Sequence, residues 1–329
     1  MFPSKKTDGT CFASNRLALI LFSTEACNLR CVYCYEKREN GRMKAPVLRG
    51  VKNLLKRRAG DLEDLSISWF GGEPLLTKDV VEDMHGYVHS LLVAYPQIRF
   101  NADMTTNAYL LSREVFEDLL KIGVTKYQIS FDGPREWHDR KCVLPGGHGT
   151  FDHIWKNVTV LRQVSGRFKV ILRIHVDEDN LEAIPDFIVQ CKDAFGGDSR
   201  FQLFIRALSR LGGSSDHQLR TLKGGLEDKR IEGLRKLASS MGLDQYSTKK
   251  PFTPCYAARP YSFIVRADGR INKCSTILEH PGNQVGYLHA NGTMELNKQR
   301  MLAWIRGIRT GDREELSCPL KGFQDPCVE

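Results

Sequence analysis

Apolar runs that are typical of strands alternate with amphipathic runs that are typical of helices through the first two thirds of the chain. Short runs rich in branched apolar residues predict strands at residues 16–22, 65–70, 98–105, 125–131, 168–176 and 201–207. Apolar positions that recur every three or four residues predict helices at residues 46–58, 78–94, 112–121, 151–164 and 181–194. This alternation predicts an α/β fold of parallel βαβ units, and most of the strands are apolar on both faces, as expected when helices cover the sheet.

The pattern changes after residue 211. A polar helical stretch ends near Met241, prolines interrupt residues 251–260, and two short strands are predicted around the Asp268-Gly269 turn. A last helix is predicted near residues 296–308. We therefore divide the chain into an N-terminal extension, an α/β core, a helical linker and a cysteine-bearing module, at residues 1–15, 16–210, 211–250 and 251–329.

The composition of the 329 residues excludes several classes of protein. Hydrophobic residues make up 41% and charged residues 26%, which excludes a long disordered or fibrous chain. No apolar run approaches the roughly 18 residues of a membrane span, and no signal peptide is visible, so we expect a cytoplasmic protein. The net charge of +9 favours acidic partners, but the basic residues are scattered, so we do not expect nucleic acid to be a partner.

Seven of the ten cysteines fall in two groups, and in a cytoplasmic protein such cysteines more often bind metals than form disulfides. The first group, Cys27, Cys31 and Cys34, has the spacing C-x3-C-x2-C and follows the first predicted strand. Three thiolates form an incomplete zinc site unless a distant cysteine joins them. In an iron–sulfur cluster, three thiolates leave one iron free for another ligand. Both interpretations are open at this point.

The first cysteine group resembles the signature of the radical S-adenosylmethionine (SAM) enzymes, C-x3-C-x-aromatic-C, with Tyr33 at the aromatic position. The resemblance implies a partial (β/α)6 barrel, similar to a TIM barrel, and a 4Fe-4S cluster held by Cys27, Cys31 and Cys34. In these enzymes the cluster binds SAM and, once reduced, cleaves it to a 5′-deoxyadenosyl radical that abstracts a substrate hydrogen. Tyr33 is expected beside SAM, and a reductase or flavodoxin-type electron donor is implied as a partner.

A Gly-Gly-Glu-Pro sequence closes the second predicted strand and provides further candidates for SAM binding. Gly71 and Gly72 would let the backbone approach a ligand closely, and the Glu73 carboxylate could accept hydrogen bonds from an ammonium group. The sequence resembles the family's GGEP motif, which implies that Glu73 and its neighbours hold the SAM amino group; an ordinary turn is the alternative. Polar residues at other strand ends match SAM-contacting positions of the family, with ordinary capping as the alternative: Asn107, Ser130, Asp132 and Arg173.

The second cysteine group lies in the C-terminal module. Cys255 and Cys274 have the spacing C-x13-G-x4-C, and Cys318 and Cys327 follow. Zinc held by four cysteines is one interpretation. The pattern also resembles the SPASM or twitch extension of radical SAM enzymes, which implies an auxiliary 4Fe-4S cluster at these four cysteines. A full SPASM module carries more cysteines, and Lys321 stands where one of them would fall, so we predict one auxiliary cluster and not two.

Radical SAM enzymes with such a module mostly modify peptides or protein side chains, so the resemblance implies a maturase that acts on a precursor peptide. The expected product is a thioether, carbon–carbon or cyclophane cross-link, or an oxidised residue. Only 26 residues precede Cys27, so we expect leader recognition by the barrel surface or by a separate leader-peptide-binding protein. Ser275 replaces the aspartate that sulfatase maturases usually have after the matching cysteine, which disfavours a sulfatase maturase.

Two other functions remain open, a small-molecule radical SAM dehydrogenase and a non-catalytic cysteine-metal module. Cys142, in the segment after the fourth predicted strand, is a candidate to exchange a hydrogen atom with the substrate. An ordinary loop thiol is the alternative for this residue.

Overall fold

A computed structural model describes residues 9–224, 226–246 and 252–324 of the chain. The strands are β1 (Arg16–Phe22), β2 (Arg30–Cys31), β3 (Asp64–Phe70), β4 (Arg99–Thr106), β5 (Val124–Phe131), β6 (Cys142–Val143), β7 (Lys169–Val176), β8 (Phe201–Ala207), β9 (Ser262–Val265), β10 (Arg270–Asn272), β11 (Gln284–Leu288) and β12 (Met294–Leu296). The helices are α1 (Ala45–Arg58), α2 (Lys78–Ala94), α3 (Arg113–Lys121), α4 (Arg135–Lys141), α5 (Phe151–Val160), α6 (Ile184–Phe195), α7 (Leu226–Ser240), α8 (Lys298–Trp304), α9 (Arg306–Thr310) and α10 (Arg313–Ser317).

The strands predicted for the core are all present, each within one residue of its expected ends, as β1, β3, β4, β5, β7 and β8. Neighbours in this series pair in parallel, and helices connect them, as the alternating pattern predicts. The α/β class and the partial barrel are therefore confirmed. The predicted helix at residues 296–308 differs in one respect, because α8 and α9 divide it at Ile305.

The sheet continues from the barrel into the C-terminal module. Ten strands in the described ranges form one open sheet, in the order β12-β11-β10-β9-β1-β3-β4-β5-β7-β8. Strand β9 pairs in parallel with β1 and is buried along its whole length, and the strands beyond it pair antiparallel. The domain boundary predicted at residue 251 therefore does not coincide with a break in the sheet.

A buried ion pair joins the two parts of the chain beside this strand contact. Arg266, directly after β9, donates from Nε and Nη2 to the two carboxylate oxygens of Glu25, at 2.9 and 2.7 Å. Both side chains are 1% exposed. Arg266 also donates to Glu279 at 2.7 Å. Because Glu25 lies two residues before Cys27, this pair fixes the start of the first cysteine group to the C-terminal module.

Helix α2 packs on the core strands through His85. The indole N–H of Trp69 donates to His85 Nε2 at 3.0 Å, and His85 Nδ1 lies 2.7 Å from the carbonyl oxygen of Ile122. Because an indole N–H can only donate, the proton of the neutral imidazole is on Nδ1. Burial lowers the pKa of His85 to about 4, so the ring is neutral at physiological pH.

A short second ladder joins β2 to β6, with Cys31 directly opposite Cys142 and Arg30 opposite Val143. Each strand has only two residues, too few for an alternating pattern to be visible in the sequence. Among the described residues, no helix is both long enough and apolar enough to cross a membrane.

Candidate active site

A cavity of about 320 Å³ lies at the carboxyl ends of the core strands, where parallel α/β folds bind their ligands. All three cysteines of the first group, Cys27, Cys31 and Cys34, line this cavity. Burial raises the pKa of Cys27 to about 12 and also raises the pKa of Cys34. The thiols of Cys27 and Cys34 are therefore protonated without a metal, and a metal would bind them as thiolates and displace the protons.

The three thiols surround a space instead of converging on one point. Within the described ranges, no three Cys, His, Asp or Glu side chains converge closely enough to hold a single metal ion. Sulfurs around a single zinc ion would lie about 3.8 Å apart, given the usual zinc–sulfur bond length. Cysteines spread around a cavity suit the larger iron–sulfur cluster. The donor set therefore fits the cluster that the sequence resemblance implies.

The Gly71-Gly72 turn packs on the backbone just before the first cysteine. Both glycines have positive φ, at 84° and 51°. A Cβ on Gly72 would lie 2.1 Å from the carbonyl oxygen of Ala26, and one on Gly71 would lie 2.2 Å from the Phe22 ring. No side chain fits at either position, so the end of β3 can approach the cysteine loop only with glycine here. Gly72 lines the cavity.

Glu73 is fully buried, and its carboxylate does not line the cavity. The carboxylate accepts from the Thr106 hydroxyl and the Asn107 N–H, both at 2.8 Å, and from the Leu75 N–H at 3.0 Å. Burial raises the pKa of Glu73 to about 7, although these three donors oppose the increase. The Glu73 side chain therefore ties the end of β3 to the end of β4.

Glu36 provides the carboxylate that does line the cavity, and the sequence analysis missed it. Its Oε2 accepts from the Gly72 N–H at 2.8 Å. Burial raises the pKa of Glu36 to about 7, with the Gly72 N–H opposing the increase. Because Glu36 begins a run of charged residues, the others of which are exposed, the sequence gives no sign that it alone turns inward.

Three residues predicted from the strand ends, Asn107, Ser130 and Arg173, line the cavity. Burial lowers the pKa of Arg173, and the neighbouring Arg206 lowers it further. Arg173 Nε is a buried donor that has no hydrogen-bond partner among the described residues. A buried guanidinium with an unused donor suits a carboxylate ligand, and SAM would present such a group.

Tyr33 also lines the cavity, and Asp132 lies behind it in a buried polar cluster. The Tyr33 hydroxyl donates to Asp132 Oδ2 at 3.1 Å. Nδ1 of His138 and Nδ1 of His175 lie 3.5 and 3.4 Å from the same carboxylate. Burial would raise the pKa of Asp132, but these neighbours outweigh burial and lower it. Asp132 is thus a buried anion that holds the Tyr33 hydroxyl in place.

Three of the four predicted auxiliary ligands are described, and Cys327 lies outside the described residues. Burial raises the pKa of Cys255, and the nearby Cys274 and Cys318 raise it further, which indicates that the three thiols are neighbours. The Cys255 N–H donates to the carbonyl oxygen of Leu316 at 2.8 Å, which brings the start of the module next to Cys318. The fold therefore brings the Cys318 segment next to Cys255, and a cluster at these cysteines stays a prediction.

The model of the radical SAM superfamily matches residues 21–190, slightly more than half of the chain. The chain belongs to the radical SAM superfamily. Its members use a 4Fe-4S cluster and SAM, and the cysteines and the orphaned Arg173 donor suit these two groups. The superfamily match includes the first cysteine group and the Gly71-Gly72 turn, but it ends before the C-terminal module.

Curated relatives within the superfamily have several different activities. A Fe-coproporphyrin III synthase of Methanosarcina barkeri is 27% identical over 53% of the chain and 41% of its own length. The molybdenum cofactor biosynthesis protein moc-5 of Caenorhabditis elegans is 27% identical over 89% and 46%. The sporulation killing factor maturation protein SkfB of Bacillus subtilis is 25% identical over 76% and 58%. The chain spans less than two thirds of the length of each of these relatives.

Solved structures of other radical SAM proteins share the fold. The protein anSMEcpe with bound AdoMet has a TM-score of 0.64 at 16% identity, over 87% of this chain and 77% of that chain. SuiB of Streptococcus suis bound to its precursor peptide SuiA has a TM-score of 0.61 at 17% identity, over 95% and 72%. At these identities the likeness establishes the fold alone.

Proposed function

We propose that the chain is a radical SAM maturase that cross-links or oxidises a side chain of a ribosomally made precursor peptide. The observation that carries this proposal is that the barrel and the C-terminal module line the same cavity. Ser275 and Thr276, which directly follow Cys274, line the same cavity as the first cysteine group. A peptide held along the C-terminal module would reach the SAM site with one side chain. The SkfB relative and the peptide-bound SuiB structure support this choice of substrate.

When bound, the cluster and SAM would supply the radical chemistry that removes a hydrogen atom from carbon. Cys27, Cys31 and Cys34 would hold the cluster, and Arg173 would bind the SAM carboxylate. Glu36 would face the SAM ammonium from its position on the Gly72 N–H. The other residues predicted to contact SAM would shape the cavity or position the residues that bind SAM.

The four cysteines of the C-terminal module would hold one auxiliary 4Fe-4S cluster. Cys274 and Cys255 are fixed to the cavity wall by Ser275, whose N–H donates to the Tyr256 hydroxyl at 2.8 Å. The Tyr256 hydroxyl is also 2.8 Å from Ser275 Oγ. An auxiliary cluster at these cysteines would therefore lie directly behind the residues that face the substrate.

Arg206 favours an acidic segment in the peptide. It lines the cavity beside Arg173 and is exposed. Within the residues that the structure describes, Arg206 makes no ion pair with a carboxylate, and the nearby Arg173 adds a second positive charge. Because Arg173 would bind the SAM carboxylate, the Arg206 guanidinium is the group that would attract a carboxylate of the peptide.

A labelling experiment tests the proposed function. Anaerobically reconstituted protein is incubated with SAM, dithionite and a short precursor peptide encoded beside this chain. The expected peptide product has lost two hydrogens, and deuterium placed at the modified carbon should appear in 5′-deoxyadenosine. The Cys31→Ala variant should form neither product, whereas Cys191→Ala, which changes a buried thiol on α6, should form both. Recovery of the peptide unmodified would contradict the proposal.

A second candidate is a small-molecule radical SAM enzyme of cofactor biosynthesis. The observation that favours it is the match to moc-5, which extends over 89% of the chain and so includes much of the C-terminal module. The same assay separates the two candidates. A small metabolite that stimulates 5′-deoxyadenosine formation, in place of the peptide, would favour this second function.

A further inference from the structure

Cys142 is held directly against one of the cysteines that would bind the first cluster. The β2–β6 ladder pairs Cys31 with Cys142, and directly opposed residues of an antiparallel pair project to the same face. The two Sγ atoms are 2.8 Å apart. Cys142 is 3% exposed and lines the same cavity as the first cysteine group.

Two polar groups besides Cys31 lie close to the Cys142 thiol. Its Sγ lies 3.1 Å from the Tyr33 hydroxyl and 3.4 Å from Asp132 Oδ2. A neutral thiol carries a proton that it can donate. Cys31, once bound to iron, is a thiolate that can only accept a hydrogen bond. Between these two sulfurs, the donor is then Cys142.

We propose that the Cys142 thiol donates a hydrogen bond to Cys31 Sγ in the cluster-bound protein and thereby raises the reduction potential of the SAM-binding cluster. Hydrogen bonds to cluster sulfurs are one of the factors that set such potentials. The hydrogen bond favours the reduced cluster because reduction places more negative charge on the sulfurs. Cys142 is then a positioning residue that acts through Cys31, and not a group that exchanges hydrogen with the substrate.

Tyr33 and Asp132 compete with Cys31 for the proton of the thiol. Asp132 already accepts from the Tyr33 hydroxyl at 3.1 Å and lies between two histidines. Asp132 Oδ2 and the Tyr33 oxygen can also accept the Cys142 proton, and reduction of the cluster favours Cys31 Sγ over them because it places more negative charge on that sulfur. The proposal needs only the cluster at Cys27, Cys31 and Cys34, so it is independent of which substrate the enzyme modifies.

A redox titration of the reconstituted full chain, followed by electron paramagnetic resonance of the SAM-binding cluster, tests the proposal. In Cys142→Ala, the ratio of reduced to oxidised cluster at the parent midpoint potential should fall up to about tenfold. For a one-electron couple this corresponds to a midpoint lower by up to about 59 mV. Cys142→Ser keeps a donor of similar size and should restore most of the difference. Cys191→Ala, which removes a buried thiol on α6, should leave the midpoint unchanged.

Three results would overturn the proposal. The first is a Cys142→Ala midpoint equal to that of the parent. The second is a Cys142→Ser midpoint as low as that of the alanine variant, because a hydroxyl donor would then be irrelevant. The third is failure of both variants to assemble the cluster, which would make Cys142 a ligand or a scaffold. An unchanged midpoint with loss of peptide product would instead favour hydrogen-atom exchange by Cys142.

Discussion

Two buried carboxylates beside the Gly71-Gly72 turn differ in what they face. Glu73 is surrounded by the Thr106 hydroxyl and two backbone N–H groups, whereas Glu36 contacts the Gly72 N–H and lines the cavity. A charged ligand needs a counter-charge that it can reach. We therefore expect Glu36 to interact with the SAM ammonium directly and Glu73 to keep two strand ends in place.

The first prediction compares Glu36→Gln with Glu73→Gln. A hydrogen bond to a charged group is worth roughly 1.5–3 kcal/mol, so Glu36→Gln should weaken SAM binding about tenfold or more, with unchanged iron content. Glu73→Gln should mainly lower the free energy of unfolding, by about 1–3 kcal/mol, because an amide NH2 replaces one of the two oxygens that accept from buried donors. Calorimetry of SAM binding and denaturant unfolding provide the two measurements. The reverse pattern would assign the ammonium contact to Glu73.

The residues that sequence reasoning found and those that it missed differ in how local their signals are. Cys27, Cys31 and Cys34 are fixed by spacing, and Ser130 and Arg173 by their place on strands that the apolar pattern locates. Glu36 and the Cys31–Cys142 contact depend on how loops fold over the barrel. Neither has a periodic signal, so only the structure could reveal them.

At the level of elements, the contact of α2 with β3 and β4 depends on a histidine that must remain neutral. His85 accepts from the Trp69 indole and packs edge-on against Phe100, at 5.5 Å between ring centroids. A protonated ring would lose its acceptor and carry a charge into the core. This contact is therefore stable only while the imidazole is unprotonated.

The second prediction follows from the pKa of about 4 for His85, against an ordinary value of about 6.5. A depressed pKa contributes stability that is present above pH 6.5 and is lost as the pH falls towards 4. The free energy of unfolding should drop by about 2 kcal/mol from this residue between pH 7.5 and pH 5. Urea unfolding of His85→Gln should lack this share of the pH dependence.

The exposed His148 provides the control for this measurement, since His148→Gln should keep the full pH dependence of the parent. Equal pH dependence in His85→Gln and the parent would show that the pKa of the buried imidazole is not lowered in the folded protein.

The third prediction concerns the Glu25–Arg266 pair beside the β1–β9 contact. Glu25→Gln removes the bidentate partner of the buried Arg266 and leaves only Glu279 beside its charge, so the change should cost about 3 kcal/mol of the free energy of unfolding. The double variant Glu25→Gln/Arg266→Met should lose less than the sum of the single variants. Denaturant unfolding measures both. Breaking the exposed Arg42–Asp79 pair with Asp79→Asn should cost at most about 1 kcal/mol.

For the whole molecule, the two cysteine groups predict the metal content. The fourth prediction is that reconstituted protein holds about eight irons, by the four-iron composition of each cluster. The triple variant with Cys27, Cys31 and Cys34 changed to Ala should retain about half of this iron and cleave no SAM. The variant Cys255→Ala/Cys274→Ala should retain the other half. Iron and zinc analysis of each variant provides the measurement, and zinc in the C-terminal module would contradict the auxiliary cluster.

The architecture of the core could be read from the sequence, but the position of the C-terminal strands could not. Most core strands are short, largely apolar runs followed by an amphipathic helix, and this alternation indicates both the strands and their parallel direction. Strand β9 pairs with β1 across more than 240 residues of chain, with Ala18 opposite Ser262. The sequence of residues 262–265 does not indicate which strand pairs with β9. The register of the β9–β1 pair depends on burial that forms only in the folded protein.

The pairing of β9 with β1 also affects how the protein could be shortened. A barrel domain ending before residue 252 would leave β1 as a bare edge with four unpaired residues, Ala18–Leu21, in the middle of an apolar strand. Such an edge is a template on which a second chain can add a strand. By covering the edge of β1, the C-terminal module should prevent this kind of self-association. A truncated barrel should therefore aggregate even if its remaining contacts are intact.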